Sequence, residues 1–256
     1  MPEGDAIRRV ANKLAPLVGQ TIVRATTQGL VRNLDGRTVT HVDAHGKHLA
    51  IDLDDATQIR VHQGMNGRFY SFTRADGEAR LARTSPGRAS LVLATATDLC
   101  LWQTCPTVEI VPRRAALRGM AIGQLGPDVL AGDFDSRQAA ERAALHDSRM
   151  IADVLLDQRV VVGLGNIWKT ESLFACRIDP RTRVAAIPRH TLVQLYETAR
   201  ELMQRSVEGV RDFAAYTRTG RPCPRCAASI TAYQLGDPPR WTWSCPSCQP
   251  PPAHAR

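Results

Sequence analysis

Four cysteines near the C-terminus form two matched knuckles, Cys223-Pro-Arg-Cys226 and Cys245-Pro-Ser-Cys248, separated by 18 residues. Each knuckle turns tightly enough for two thiolates to reach one ion, and four sulfurs close a tetrahedral shell with no open position. The spacing therefore predicts one structural Zn2+. The other end of the chain carries a different kind of chemistry. An initiator methionine followed by proline is ordinarily trimmed, so Met1-Pro2-Glu3 would expose Pro2 as a secondary amine. With a reference pKa of about 7.7 to 8.0, an α-amine is partly unprotonated near neutral pH and can attack an electrophilic carbon to give an iminium. Glu3, next along the chain, is suited to moving a proton in the same reaction. Taken alone, the same Pro-Glu pair is also an ordinary helix opening.

The charge balance narrows the partners. The chain has 256 residues and a net charge of +8, which favours a polyanion such as nucleic acid. Of its basic residues only Lys13, Lys47 and Lys169 are lysines, so each is worth inspecting as a point charge or nucleophile that arginine cannot replace. No apolar run approaches the ~20 residues of a membrane span, and the acidic opening lacks the pattern of a secretory signal. A cytoplasmic protein, nucleoid-associated when bound to DNA, is expected. Without export signals a disulfide framework is not expected either.

These residues need elements to hold them. Residues 2–18 read as a helix, with Ile7, Val10, Leu14 and Leu17 at helical spacing and Gly19 stopping it. From about residue 20 to 112, short segments such as 21–26, 49–53, 58–62, 68–72 and 90–94 are rich in Val, Ile, Leu and Thr, the pattern of an antiparallel sandwich or barrel. Residues 71–87 read as a polar loop. Helical periodicity follows over 136–146, 149–158, 166–176 and 189–208, and alternation around Gly236-Asp-Pro-Pro239 makes the cysteine module a hairpin. The expected fold is α+β: an N-terminal helix plus antiparallel β-sandwich domain (1–124), a helical domain (125–221), a zinc-finger hairpin (222–249) and a disordered tail (250–256).

Five motifs, in order, extend the reading: Pro2-Glu3-Gly4, Gly46-Lys47-His48-Leu49, His62-Gln-Gly-Met65-Asn-Gly67, Gly163-Leu-Gly-Asn166-Ile-Trp-Lys-Thr-Glu171 and the four-cysteine module. Together they resemble the formamidopyrimidine-DNA glycosylase and endonuclease VIII family of base-excision repair enzymes over nearly the whole chain. The resemblance implies a helix-two-turn-helix in the helical domain. It also implies a bifunctional glycosylase and abasic-site lyase acting, as a monomer, on damaged double-stranded DNA. Pro2 then matches the nucleophile that forms a Schiff base with the sugar, Glu3 the acid at the sugar ring oxygen, and Lys47 the catalytic lysine that contacts phosphate beside the lesion. Strand cleavage would follow by β,δ-elimination. Asn166 and Arg240 match phosphate-binding positions, His62 joins the phosphate clamp, and Met65 matches the wedge that fills the gap left by an extruded base. Glycines 163 and 165 before a helix start agree with anion binding there.

Two departures are visible. Ala6 stands where the family often has a second glutamate, with Asp5 beside it as a helix N-terminal charge, so lesion-specific proton chemistry could pass to Glu171. The stretch after Cys100 lacks the Arg-Phe-Gly pattern that supplies further wedge residues. The Pro-Glu-Gly opening resembles members that favour oxidised pyrimidines. The alternatives are a damaged-DNA-binding paralogue of the same fold without catalysis, or an RNA-associated zinc-ribbon protein.

Overall fold

The computed structural model describes residues 2–28, 33–113 and 125–251. Met1, the end of the expected first domain at 124 and all but the first two residues of the expected tail lie outside them. Two compact units are present: one comprises residues up to Pro2 together with Ala6–Gln124, the other Glu3–Asp5 with Leu125–Arg256.

The first unit is a sandwich of two four-stranded antiparallel sheets, ordered β1-β6-β7-β5 and β2-β3-β4-β8. Its strands are β1 (Arg24–Thr27), β2 (Val39–His45), β3 (His48–Leu53), β4 (Thr57–His62), β5 (Arg68–Thr73), β6 (Ala89–Ala94), β7 (Asp98–Gln103) and β8 (Thr107–Pro112). Helix α1 (Gly4–Leu14) lays Ile7, Val10, Ala11 and Leu14 into a core shared with Ile51, Ile59, Leu91 and Trp102.

The stretch expected to be a loop at 71–87 instead finishes β5 and then forms α2 (Arg74–Ala82). Thr73 caps this helix by accepting a hydrogen bond from the Asp76 amide. A weak helical pattern broken by Gly77 hides it in the sequence, but Gly77 is needed because a Cβ there would run into Leu99. Leu81 joins Val92, Leu99 and Leu101 on the face of the sheet away from the main core. That explains why Ser90–Ala94 is buried without alternation.

The second unit gathers α3 (Ser136–Ala144), α4 (Ile151–Leu156), α5 (Asn166–Ala175) and α6 (Arg189–Val207) around a core containing Val154, Leu164, Trp168, Leu195, Tyr196 and Met203. A hairpin of β9 (Thr231–Leu235) and β10 (Arg240–Ser244) follows, in register Arg240 to Leu235 through Ser244 to Thr231. Its small core is Phe174, Ala215, Cys223, Ile230 and Cys245.

Candidate functional site

In the first unit, Pro2 is half-buried and precedes α1. Lys47 sits in the two-residue turn between β2 and β3, closed by the His45–His48 pair. Gly46 takes φ 55°, the left-handed value that glycine supplies at the first central position of such a hairpin. His62 ends β4 and pairs with His48, the two rings 4.9 Å apart. Burial, with His62, other nearby cations and Lys47 adding to it, pushes His48 down to about 4. Burial and Lys47 also lower His62. Both imidazoles are therefore held toward the neutral form near pH 7 beside Lys47.

Met65 is 73% exposed at the apex of a turn closed by the Gly67 amide on the Gln63 carbonyl. Gly64 lies flat on Pro106, where a Cβ would overlap the ring. Pro106 belongs to a three-residue link, with Thr104 at φ 56°, between β7 and β8. The stretch after Cys100 that lacks the Arg-Phe-Gly pattern is strand, tight turn and strand, and its Pro106 supports the Met65 turn.

In the second unit, Glu3 is 3% exposed, and its carboxylate accepts the Ile167 amide at 2.8 Å and the Trp168 amide at 3.2 Å. The anion at the positive end of α5 is thus the chain's own Glu3. A Cβ at Gly165 would fall on the Glu3 carboxyl group, so only glycine permits this approach. The loop before it is held by Gln158, which donates to the Leu156 and Leu164 carbonyls and accepts from the Gly163 amide.

Asp5 is more than a helix-end charge: at 2% exposure it accepts from Trp168 Nε1 at 2.9 Å and Ser206 Oγ at 2.7 Å. Glu171, to which the proton chemistry of a second glutamate could pass, is 5% exposed. Its buried carboxylate accepts three consecutive amides, Ala214, Ala215 and Tyr216, at 2.7 to 3.0 Å, which commits it to shaping the chain after α6.

Asn166 opens α5 and donates Nδ2 to the Trp241 carbonyl at 2.8 Å. Arg240, exposed, begins the same strand β10. One residue beyond Trp241, Thr242 receives the Lys169 ammonium at 2.9 Å. Lys169 is 1% exposed, and burial pushes it down to about 8 against the pull of the Asp153 and Glu3 carboxylates, with Arg240 adding to the decrease. Sequence reasoning flagged Lys169 only as one of three lysines; its burial could not be read from a helix whose neighbours on every side are also covered.

The four knuckle sulfurs lie within 4.8 Å of one another, with Cys223–Cys248 at 3.9 Å and Cys226–Cys245 at 3.5 Å. A tetrahedron of sulfurs at the zinc–thiolate bond length has edges of about 3.8 Å, so the set fits a metal ion. Amides of Arg225 and Cys248 point at sulfurs of Cys223 and Cys245, which suits thiolates. The module is fastened to the helices by Gln249 on the Ile178 carbonyl and by the Arg225 guanidinium on the last carbonyls of α5.

The N-terminal domain model of formamidopyrimidine-DNA glycosylase matches residues 1–104, and the H2TH domain model of the same enzyme matches residues 125–214. A probable endonuclease 8 2 of Streptomyces coelicolor is 32% identical, the alignment covering 99% of this chain and 95% of that protein. The chain belongs to the formamidopyrimidine-DNA glycosylase and endonuclease VIII family. Another member, the DNA-(apurinic or apyrimidinic site) lyase Nei2 of Mycolicibacterium smegmatis, is 30% identical over 97% of this chain and 99% of its own length. The fold matches a crystal structure of Lactococcus lactis formamidopyrimidine-DNA glycosylase bound to DNA containing an abasic site, with TM-score 0.83 and 23% identity over 97% of this chain and all of that one. Among the described residues no helix is long and apolar enough to cross a membrane.

Proposed function

We propose that this family member is a DNA glycosylase with abasic-site lyase activity that removes oxidised bases, pyrimidines foremost, from double-stranded DNA in base-excision repair. The observation that carries the reading is the Glu3 carboxylate, buried on two backbone amides at the start of α5 with Gly165 cut away to admit it. No such arrangement is needed for an ordinary helix opening or for a zinc ribbon.

In this reading Met1 is removed and the Pro2 imino nitrogen attacks C1′ of the damaged nucleotide. The C1′–base bond breaks, the base leaves with a proton, and Glu3 protonates the sugar ring oxygen. The resulting iminium acidifies the adjacent C2′ hydrogen. Its loss expels the 3′ phosphate, and a second elimination expels the 5′ phosphate. Lys47 and His62 hold phosphate beside the lesion, as do Asn166 and Arg240 on the α5–β10 side of the second unit. Met65 fills the gap left by the extruded base. The working parts correspond to 1–124, 125–221 and 222–249, with a single structural Zn2+ on Cys223, Cys226, Cys245 and Cys248 holding β10. The protein acts as a monomer, in the cytoplasm and on the nucleoid.

Borohydride tests this directly. Incubated with a duplex carrying an abasic site, the protein yields a covalent adduct whose DNA-linked peptide begins at Pro2, and Pro2→Gly abolishes base excision. Binding of the damaged duplex without adduct or strand nicking would instead identify the non-catalytic paralogue.

A further inference from the structure

A buried lysine is costly to keep charged, and the fold commonly avoids one unless the charge is used. Lys169 is such a residue, held where α4, α5, the start of α1 and the cysteine hairpin meet within the second unit. Its Nζ donates to Thr242, itself fully buried on β10. The charged groups bearing on it are Glu3 ahead of α1, Asp153 on α4 and Arg240 on β10. Tyr216, which bears on Glu3 and whose phenol burial and Glu3 both push up, is neutral. Asp153 also sits under the turn of the hairpin, where a Cβ on Gly236 would strike its carboxylate.

We propose that Lys169 is a positioning residue for base release. Its buried ammonium, seated on Thr242, locks β10 to α5 and counterbalances Glu3 and Asp153, so that the Glu3 carboxylate stays aligned on the α5 amides. The proposal rests on the glycosylase reading and deepens it. It separates two steps: base excision, in which Glu3 delivers its proton to the sugar ring oxygen as the C1′–base bond breaks, and incision of a preformed abasic site, whose base has already left. A helix core residue of merely structural importance would depress both alike.

The test compares excision of an oxidised pyrimidine with incision at an abasic site for the full-length, metal-loaded protein and for Lys169→Met and Lys169→Arg. Lys169→Met is expected to lower excision by ~10- to 100-fold, the scale of a misplaced reacting group, and abasic incision several-fold less. Lys169→Arg is expected to restore the excision-to-incision ratio. In the wild type that ratio falls as pH rises through about 8, where Lys169 loses its proton. In Lys169→Arg the fall is displaced upward, because a guanidinium keeps its charge.

Equal losses in both steps, or a pH limb that stays in place in Lys169→Arg, would overturn the proposal. If Lys169→Met loses its metal or its fold, the pH limb of Lys169→Arg against wild type decides alone. A wild-type protein that performs neither step fails the glycosylase reading itself, which is a distinct outcome.

Discussion

At the residue scale the organising group is Glu3. A carboxyl group buried at 3% exposure needs donors in place of water, and the first free amides of α5 supply them. Gly165 is part of the same device. Gly165→Ala forces a methyl group onto the carboxyl carbon and must displace either Glu3 or the helix start. We expect it to cost roughly 1 to 3 kcal/mol of stability, as overpacking does, and to reduce base excision by about 100-fold. Thermal melting read beside excision kinetics checks this, and near-wild-type kinetics would remove Glu3 alignment from the account. Pro2 and Glu3 stand out in the sequence as candidates because the chemistry proposed for them depends on residue type and chain position. Their burial partners were not, because Trp168, Ser206 and Gly165 are brought to Glu3 and Asp5 from more than 160 positions away.

At the element scale, the hairpin β9–β10 is short and exposes Arg240 and Trp241, so it cannot hold itself by burial alone. With the proposed Zn2+ bound, the cysteine cluster supplies the missing constraint. Removing the metal with a chelator is expected to weaken binding to abasic DNA by at least tenfold, since β10 carries Arg240 and the carbonyl that fixes Asn166. A titration before and after zinc is restored measures it. The β3–β4 ladder sets a pH dependence of a different kind. His48 is lowered to about 4 from its ordinary 6.5, chiefly by burial. The unfolded chain therefore binds the extra proton between those values and the native one does not. The His48 contribution is fully present above about pH 6.5 and is lost as pH falls toward 4. Urea melts across that window should show declining stability in the wild type and a flatter profile in His48→Leu. The hairpin was readable from alternation and turn chemistry, whereas α2 was not, because its polar face and Gly77 mask a helix recognised only by the sheet it covers.

At the scale of the whole molecule, a net charge of +8 makes the affinity for duplex DNA, in the proposed function, salt-dependent through counterion release. Arg240→Ala should lessen the slope of log affinity against log salt by about 1 and weaken all duplexes alike. Loss confined to damaged duplexes would instead make Arg240 a reader of the lesion. The sequence alone was sufficient for the α+β order of elements, the four-cysteine cluster and the family, because these depend on local periodicity, short spacings and motif order. Tertiary structure decided what the remaining polar residues do. Glu171 is spent on three amides, Asp5 on Trp168 and Ser206, and Lys169 on Thr242. The physical reason is that the free energy of a buried charge is set by the donors and acceptors packed around it, and those come from distant parts of the chain that no local pattern encodes.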